Sequence, residues 1–278
     1  MEHSSQQWNK TLRPPAVAGS FYPDDRKALA RLVDRLLISA QSNLTHENFS
    51  KFPKALIVPH AGYRYSGEVA ASAYATLQKI SDRIMRVILI GPAHRVNVRG
   101  MGITGADYFA SPLGRIPVDT ESVKKCIDSF KFLSVNNQAH QEEHSLETQL
   151  PFLQRCLGRI RIVPIVVGSA TPEQVEQCLA LLWGGEETLV LISSDLSHFL
   201  PYQEATRIDE STSKAILNLN PDAIGYDNAC GQIGVRGLLR VARRKDMRVR
   251  QLDVRNSGDT SGRKDQVVGY GSYAFYDD

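Results

Sequence analysis

Residues 188–198, Thr188-Leu189-Val190-Leu191-Ile192-Ser193-Ser194-Asp195-Leu196-Ser197-His198, decide the fold. The run up to Ser193 is short, apolar and unbroken. A strand with one wet face would alternate with polar residues, so this pattern predicts a strand covered on both faces. It then stops in small hydroxyl residues, an aspartate and a histidine. Two other stretches share the layout: Ala55-Leu56-Ile57-Val58-Pro59 runs into His60-Ala61-Gly62-Tyr63, and Arg86-Val87-Ile88-Leu89-Ile90 into Gly91-Pro92-Ala93-His94. Helical periodicity fills the intervals. Residues 24–39 carry Leu29, Leu32, Val33, Leu36 and Leu37 at helical spacing behind Asp24 as cap, and residues 66–80 follow Ser66 as cap. Helices are also predicted at 172–183, 202–219 and 233–245, strands at 160–167, 248–254 and 267–276, and a polar loop at 40–52. Apolar strands alternating with helices predict an α/β fold around a mainly parallel sheet covered on both faces. No Gly/Ser linker, composition shift or repeat divides the sequence. Residues 1–278 therefore read as one domain, with residues 1–12 expected to be a flexible N-terminal segment.

Composition removes several function classes. Lys and Arg total 33 against 30 Asp and Glu, a net charge of +3 that is too small to mark a nucleic-acid binder. No apolar run approaches the ~18–20 residues of a membrane span. The opening residues MEHSSQQWNKTLRPP hold no apolar h-region, which predicts a cytoplasmic protein with reduced thiols. Of the four cysteines, Cys126, Cys156 and Cys178 fall in helical patterns and are expected to be packing residues without disulfides.

In open α/β sheets, ligands bind beyond the carboxyl ends of the strands, where loops converge. Three of the seven histidines, His60, His94 and His198, fall there together with Asp195. A loop histidine is ordinarily just hydrogen-bonded, but unrelated histidines would scatter, whereas these share one topological position. Imidazole is the commonest ligand for zinc, iron and copper, so the pattern predicts a metal centre. The segment Gln141-Glu142-Glu143-His144-Ser145-Leu146-Glu147 adds His144 as a further candidate. On a helix beginning near His144 it would share a face with Glu147. The plainer reading makes Glu143 and Glu147 carboxylates that offset a helix dipole. Cys230 stands in Asn228-Ala229-Cys230-Gly231-Gln232, just before a helical pattern, where a helix N-terminus favours thiolate. Ligand, nucleophile and inert thiol all remain open for it on these grounds. The arginines of the following helix, Arg236, Arg240, Arg243 and Arg244, read as a solvated face. Walker A, G-x-G-x-x-G, G-x-S-x-G and H-E-x-x-H motifs are absent from the sequence.

Taken in order, AGSFYP, PHAGYRYSG, GPAHR, EEHSLETQLPFL, SSDLSHF, NACG, and NSGDTSG with VVGYGS make a sequence that resembles the Memo family across residues 13–276. That family is similar in fold to class III extradiol ring-cleaving dioxygenases, which implies a three-layer αβα sandwich with a metal pocket at the end of a mainly parallel or mixed sheet. The resemblance implies that His60, His94 and Cys230 bind a metal. It also places Asp195 and His198 in the same pocket, with His198 at the position of an acid/base histidine. A thiolate here stands where those dioxygenases have a carboxylate. Iron is the divalent ion expected first, with copper or zinc as the other candidates.

The function expected is that of an iron-dependent, dioxygenase-like oxidoreductase acting on a small aromatic or other organic substrate. His198 would move a proton, Asp195 would orient or stabilise, and His144 would act beside them. A non-catalytic protein holding metal or a peptide in the same pocket is the alternative, and a zinc-dependent hydrolase a second one. Expected partners are an unknown small molecule or peptide, with neither nucleic acid nor membrane. Prokaryotic members resemble one component of a gene set that includes a radical-SAM protein, which implies a functional link to such a protein.

Overall fold

The computed structural model describes residues 11–43 and 52–277. In chain order the strands are β1 (Leu12–Arg13), β2 (Ala55–Val58), β3 (Arg86–Pro92), β4 (Met101–Ile103), β5 (Tyr108–Ser111), β6 (Gly114–Pro117), β7 (Leu133–Val135), β8 (Arg161–Val167), β9 (Thr188–Ser193), β10 (His198–Leu200), β11 (Arg248–Asn256) and β12 (Val267–Tyr276). Nine of them form one sheet in the order β10-β12-β2-β9-β3-β8-β4-β7, with β11 paired along β12. The centre, β2-β9-β3-β8, is parallel, and its strands are buried almost throughout. The flanks β12/β2, β11/β12, β10/β12 and β8/β4 pair antiparallel, so the sheet as a whole is mixed. The remaining strands, β1, β5 and β6, make a small separate sheet.

Crossovers place helices on both faces. The connection from β2 to β3 through helix Tyr63–Tyr74 steps across the sheet in one direction, and that from β8 to β9 through Pro172–Leu182 steps back. Parallel crossovers are right-handed as a rule, which puts these two on opposite faces. Helix Arg26–Asn43 packs with the first, and Gln232–Arg244 with the second. The result is helix, sheet, helix. Among the described residues no helix is long and apolar enough to cross a membrane.

Several sequence expectations need correction. Residues 1–10 of the expected flexible start lie outside the described residues. Leu12 belongs to β1, paired with Tyr108, and the Thr11 amide donates to Asp107 Oδ2 at 2.7 Å. The first helix runs Arg26–Asn43, and Asp25 rather than Asp24 caps it, through the Ala28 amide at 2.8 Å. The second begins at Tyr63, and Ser66 instead donates its hydroxyl to the Ala61 carbonyl. No helix begins at His144: a 3-10 turn, Glu147–Gln149, leads into Leu150–Cys156. Pro151 explains this late start, since proline suits a first helical turn and disfavours helix before it. All four cysteines are free, as expected, and Cys126, Cys156 and Cys178 are buried.

Candidate metal centre

His60, His94 and Cys230 meet beyond the carboxyl ends of β2, β3 and β9. One ligand atom from each lies within 4.8 Å of the other two. Cys230 Sγ sits 3.3 Å from His60 Nε2, and the His60 and His94 rings meet edge to face at 5.2 Å. Each chain segment arrives for a local reason. Strands β2 and β3 end just before the histidines, and Cys230 enters on the turn before helix Gln232–Arg244. That turn is held by Ser194, whose hydroxyl donates to the Asp195 carbonyl at 2.8 Å and accepts the Gly231 amide at 3.0 Å.

Hydrogen-bond accounting fixes which ring nitrogen each histidine offers. Ser193 Oγ has one proton and gives it to the Ser145 carbonyl at 2.6 Å. It accepts from Gln149 Nε2 at 2.9 Å, whose identity as nitrogen follows from its second bond to the Pro59 carbonyl. The remaining contact, His60 Nδ1 at 2.9 Å, must therefore also donate to Ser193 Oγ. His60 Nε2 is left with a free lone pair, facing Cys230. His94 Nδ1 lies 2.9 Å from Glu143 Oε1. Burial raises the Glu143 carboxyl, but the hydrogen bonds and charge of His94 and the Ser145 amide pull it down to about 2. It is thus an ionised acceptor that takes the Nδ1 proton in a hydrogen bond, which makes Nε2 the nitrogen a neutral His94 ring has to offer a metal. A metal-ligating imidazole characteristically makes such an outer hydrogen bond.

Burial, followed by the neighbouring His94 and His144, pushes the His60 pKa well down and keeps the ring neutral. Burial and then the Asp195 charge push the Cys230 thiol well up. That outcome opposes the thiolate expected from a helix N-terminus: desolvation outweighs the dipole in the protein alone, and a bound cation inverts this balance.

The other candidates take different places. His144 stacks on His94 at 4.5 Å and meets the His60 ring at 5.4 Å. Its buried Nδ1 has no hydrogen-bond partner among the described residues, although Glu143 Oε1 is 3.4 Å away. His94, Glu143 and His144 form a second convergent donor group. Glu143, however, is already occupied by the His94 amide, the His94 ring and the Ser145 amide, so it orients rather than ligates. Asp195 accepts the His60 amide at 2.7 Å through Oδ1, and its Oδ2 is 4.0 Å from His60 Nε2. Burial raises its pKa. His198 stands further off, and its Nδ1 donates to the Leu196 carbonyl at 2.8 Å. It is still near enough for its charge to act on Asp195 and His60. Glu147 is elsewhere: it is fully buried, paired with Arg13, and bonded to Tyr22 and the Ala16 and Val17 amides. Sequence reasoning missed Ser193 and Gln149, and gave Glu143 no orienting role. The local signal was their position within the SSDLSH and EEHSLETQ segments.

A family model described as Memo-like protein matches residues 13–274. A MEMO1 family protein of Aquifex aeolicus is 36% identical over 274 residues, covering 93% of this chain and 97% of the relative. One from Methanobrevibacter smithii is 33% identical over 281 residues, covering 95% and 99%. Among solved structures, an uncharacterized protein, JW3007, of Escherichia coli K12 superposes with a TM-score of 0.52 at 12% identity. It covers 79% of this chain and 98% of its own, a likeness of fold. With the sequence match spanning nearly its whole length, the chain belongs to the Memo-like family.

Proposed function

We propose that this protein is metal-dependent: His60 Nε2, His94 Nε2 and Cys230 Sγ hold a divalent ion, iron first, in an oxidoreductase acting on a small organic substrate. One observation carries the reading. Three donors of metal-binding type converge within 4.8 Å, and both imidazoles have Nδ1 tied to a buried acceptor. Packing alone has no need for two oriented imidazoles and a thiol drawn this close together. The donor set fits the ion, since two imidazoles and a sulfur suit iron, copper or zinc and leave coordination positions for a substrate. When bound, iron would supply Lewis-acid and redox capacity at this point.

The protein's own groups do the rest. Glu143 and Ser193 hold the two rings in the tautomer that ligates. His144 offers beside them a buried ring nitrogen that has no hydrogen-bond partner among the described residues. Asp195 holds the His60 backbone, and His198, with Nδ1 committed to Leu196, keeps Nε2 to take or give a proton. Four free thiols fit a reducing cytoplasm.

Elemental analysis of protein purified without added metal tests the reading. About one iron per chain supports it. Zinc would replace the redox assignment by zinc-assisted hydrolysis, and a chain that binds none of iron, copper or zinc on reconstitution would overturn it.

A further inference from the structure

The loop carrying His198 rests on a buried carboxylate that none of the groups above explains. Asp209 lies on helix Tyr202–Leu217, is 3% exposed, and accepts the Ser197 amide through Oδ1 at 3.0 Å. Burial pushes its pKa up to about 6, offset only by Ser197, with no cation contributing. An unpaired buried carboxylate is costly, so its position calls for an explanation.

The hydrogen bonds supply one. Gly269 donates its amide to the Ser197 carbonyl and accepts the Leu196 amide, both at 2.8 Å. The Leu196 carbonyl in turn takes the His198 Nδ1 proton. Glycine is required at 269, because a Cβ there would lie 2.0 Å from Asp209 Oδ2. On the far side of His198, the β10/β12 register slips between His198 and Leu200. Phe199 stands in the slip, with φ at 57°, exposed, and with its ring 5.7 Å from that of His198. A bulky residue rarely adopts this backbone, and bulges of this kind re-aim a neighbouring side chain. A buried anchor below and a bulge beside it thus leave the imidazole little freedom.

We propose that Asp209 is a positioning residue: by anchoring the Leu196-Ser197-His198 turn against Gly269, it holds His198 in the Nδ1–H tautomer with Nε2 unprotonated and available. This rests on the reading of His198 as the proton-transfer group, but the proposal is structural and its test needs no turnover.

The test is the ring 15N spectrum of His198 in metal-free, histidine-labelled protein near pH 8, assigned with His198→Gln. The parent should show a protonated Nδ1 and a bare Nε2. Asp209→Ala should lose that signature while the His60 and His94 ring signals stay in place, and Asp209→Asn, which keeps an acceptor oxygen, should retain it. If Asp209→Ala does not fold, Asp209→Ser carries the same expectation. An Nε2–H tautomer in the parent, an unchanged His198 in the folded Ala or Ser variant, or an Asn variant that loses the signature would each overturn the proposal. Metal content of the same proteins after reconstitution separates this outcome from failure of the metal reading, since Asp209 variants should bind metal as the parent does.

Discussion

Glu143 is joined to His94 twice, through its backbone amide at Oε2 and through ring Nδ1 at Oε1, 2.9 Å away. One carboxylate thus sets both the position and the tautomer of the histidine at the end of β3. Glu143→Gln can still accept one of these bonds but brings an N–H where an acceptor was. Removal of such an outer partner typically costs ~10–100-fold in metal affinity. Competition against a chelator should show a loss in that range, with the fold unchanged by circular dichroism. Undiminished affinity would mean that His94 needs no orienting partner.

Ser193 does for His60 what Glu143 does for His94, but it is neutral and shared with Gln149 and Ser145. Ser193→Ala removes the acceptor of the Nδ1 proton and frees the ring to adopt the other tautomer. Metal affinity should fall, by less than for His60→Ala. The same chelator titration ranks the two, and the reverse order would contradict the assignment of Nε2 as the ligand.

Glu147 separates fold from site. Its pairing with Arg13 is buried, 5% and 0% exposed on the two sides, and ties the N-terminal segment to the body. Glu147→Ala would leave the buried Arg13 charge without its counter-ion, held only by the His140 and Glu143 carbonyls, and would strand two backbone amides. Breaking such a pair costs about 3–5 kcal/mol. Urea unfolding should report a loss of that size, while folded protein keeps its metal stoichiometry. A near-neutral change would show that the His140 and Glu143 carbonyls suffice for the Arg13 charge.

Asp209 gives a pH signature. Its pKa is about 6 in the fold against about 3.9 for an unfolded chain, so between these values the folded protein binds the extra proton. Stability then falls as pH rises through this window, and above pH 6 the ionised carboxylate costs about 2–3 kcal/mol. Asp209→Asn removes the titration. The variant should melt higher than the parent at pH 8 and equally at pH 4. Parallel melting curves at both pH values would contradict the raised pKa.

Much of the fold is legible in local sequence because the central strands are buried on both faces. Thr188–Ser193 and Val267–Tyr276 fall where their apolar runs place them. Strands β4 to β7 are three or four residues long, and their pairing partners decide them, so no local pattern marks them. The site divides in the same way. His60, His94, Asp195 and His198 are legible because strand ends in such sheets converge. The groups that orient them are not, since Gln149 reaches Ser193 across 44 residues and Glu143 reaches His94 across 49. Glu147 misled for the same reason: its helical spacing from His144 counts only if a helix runs there, and Pro151 delays the start.

In the proposed centre His60, His94 and Cys230 together hold one metal ion. Metal content per chain, measured after anaerobic reconstitution for the parent, His60→Ala, His94→Ala, Cys230→Ser and His198→Ala, tests it most directly. The parent should hold about one ion, the first three variants should each lose most of it, and His198→Ala should keep it. Full occupancy in Cys230→Ser would remove the thiol from the ligand set, and full occupancy in all three variants would contradict the account.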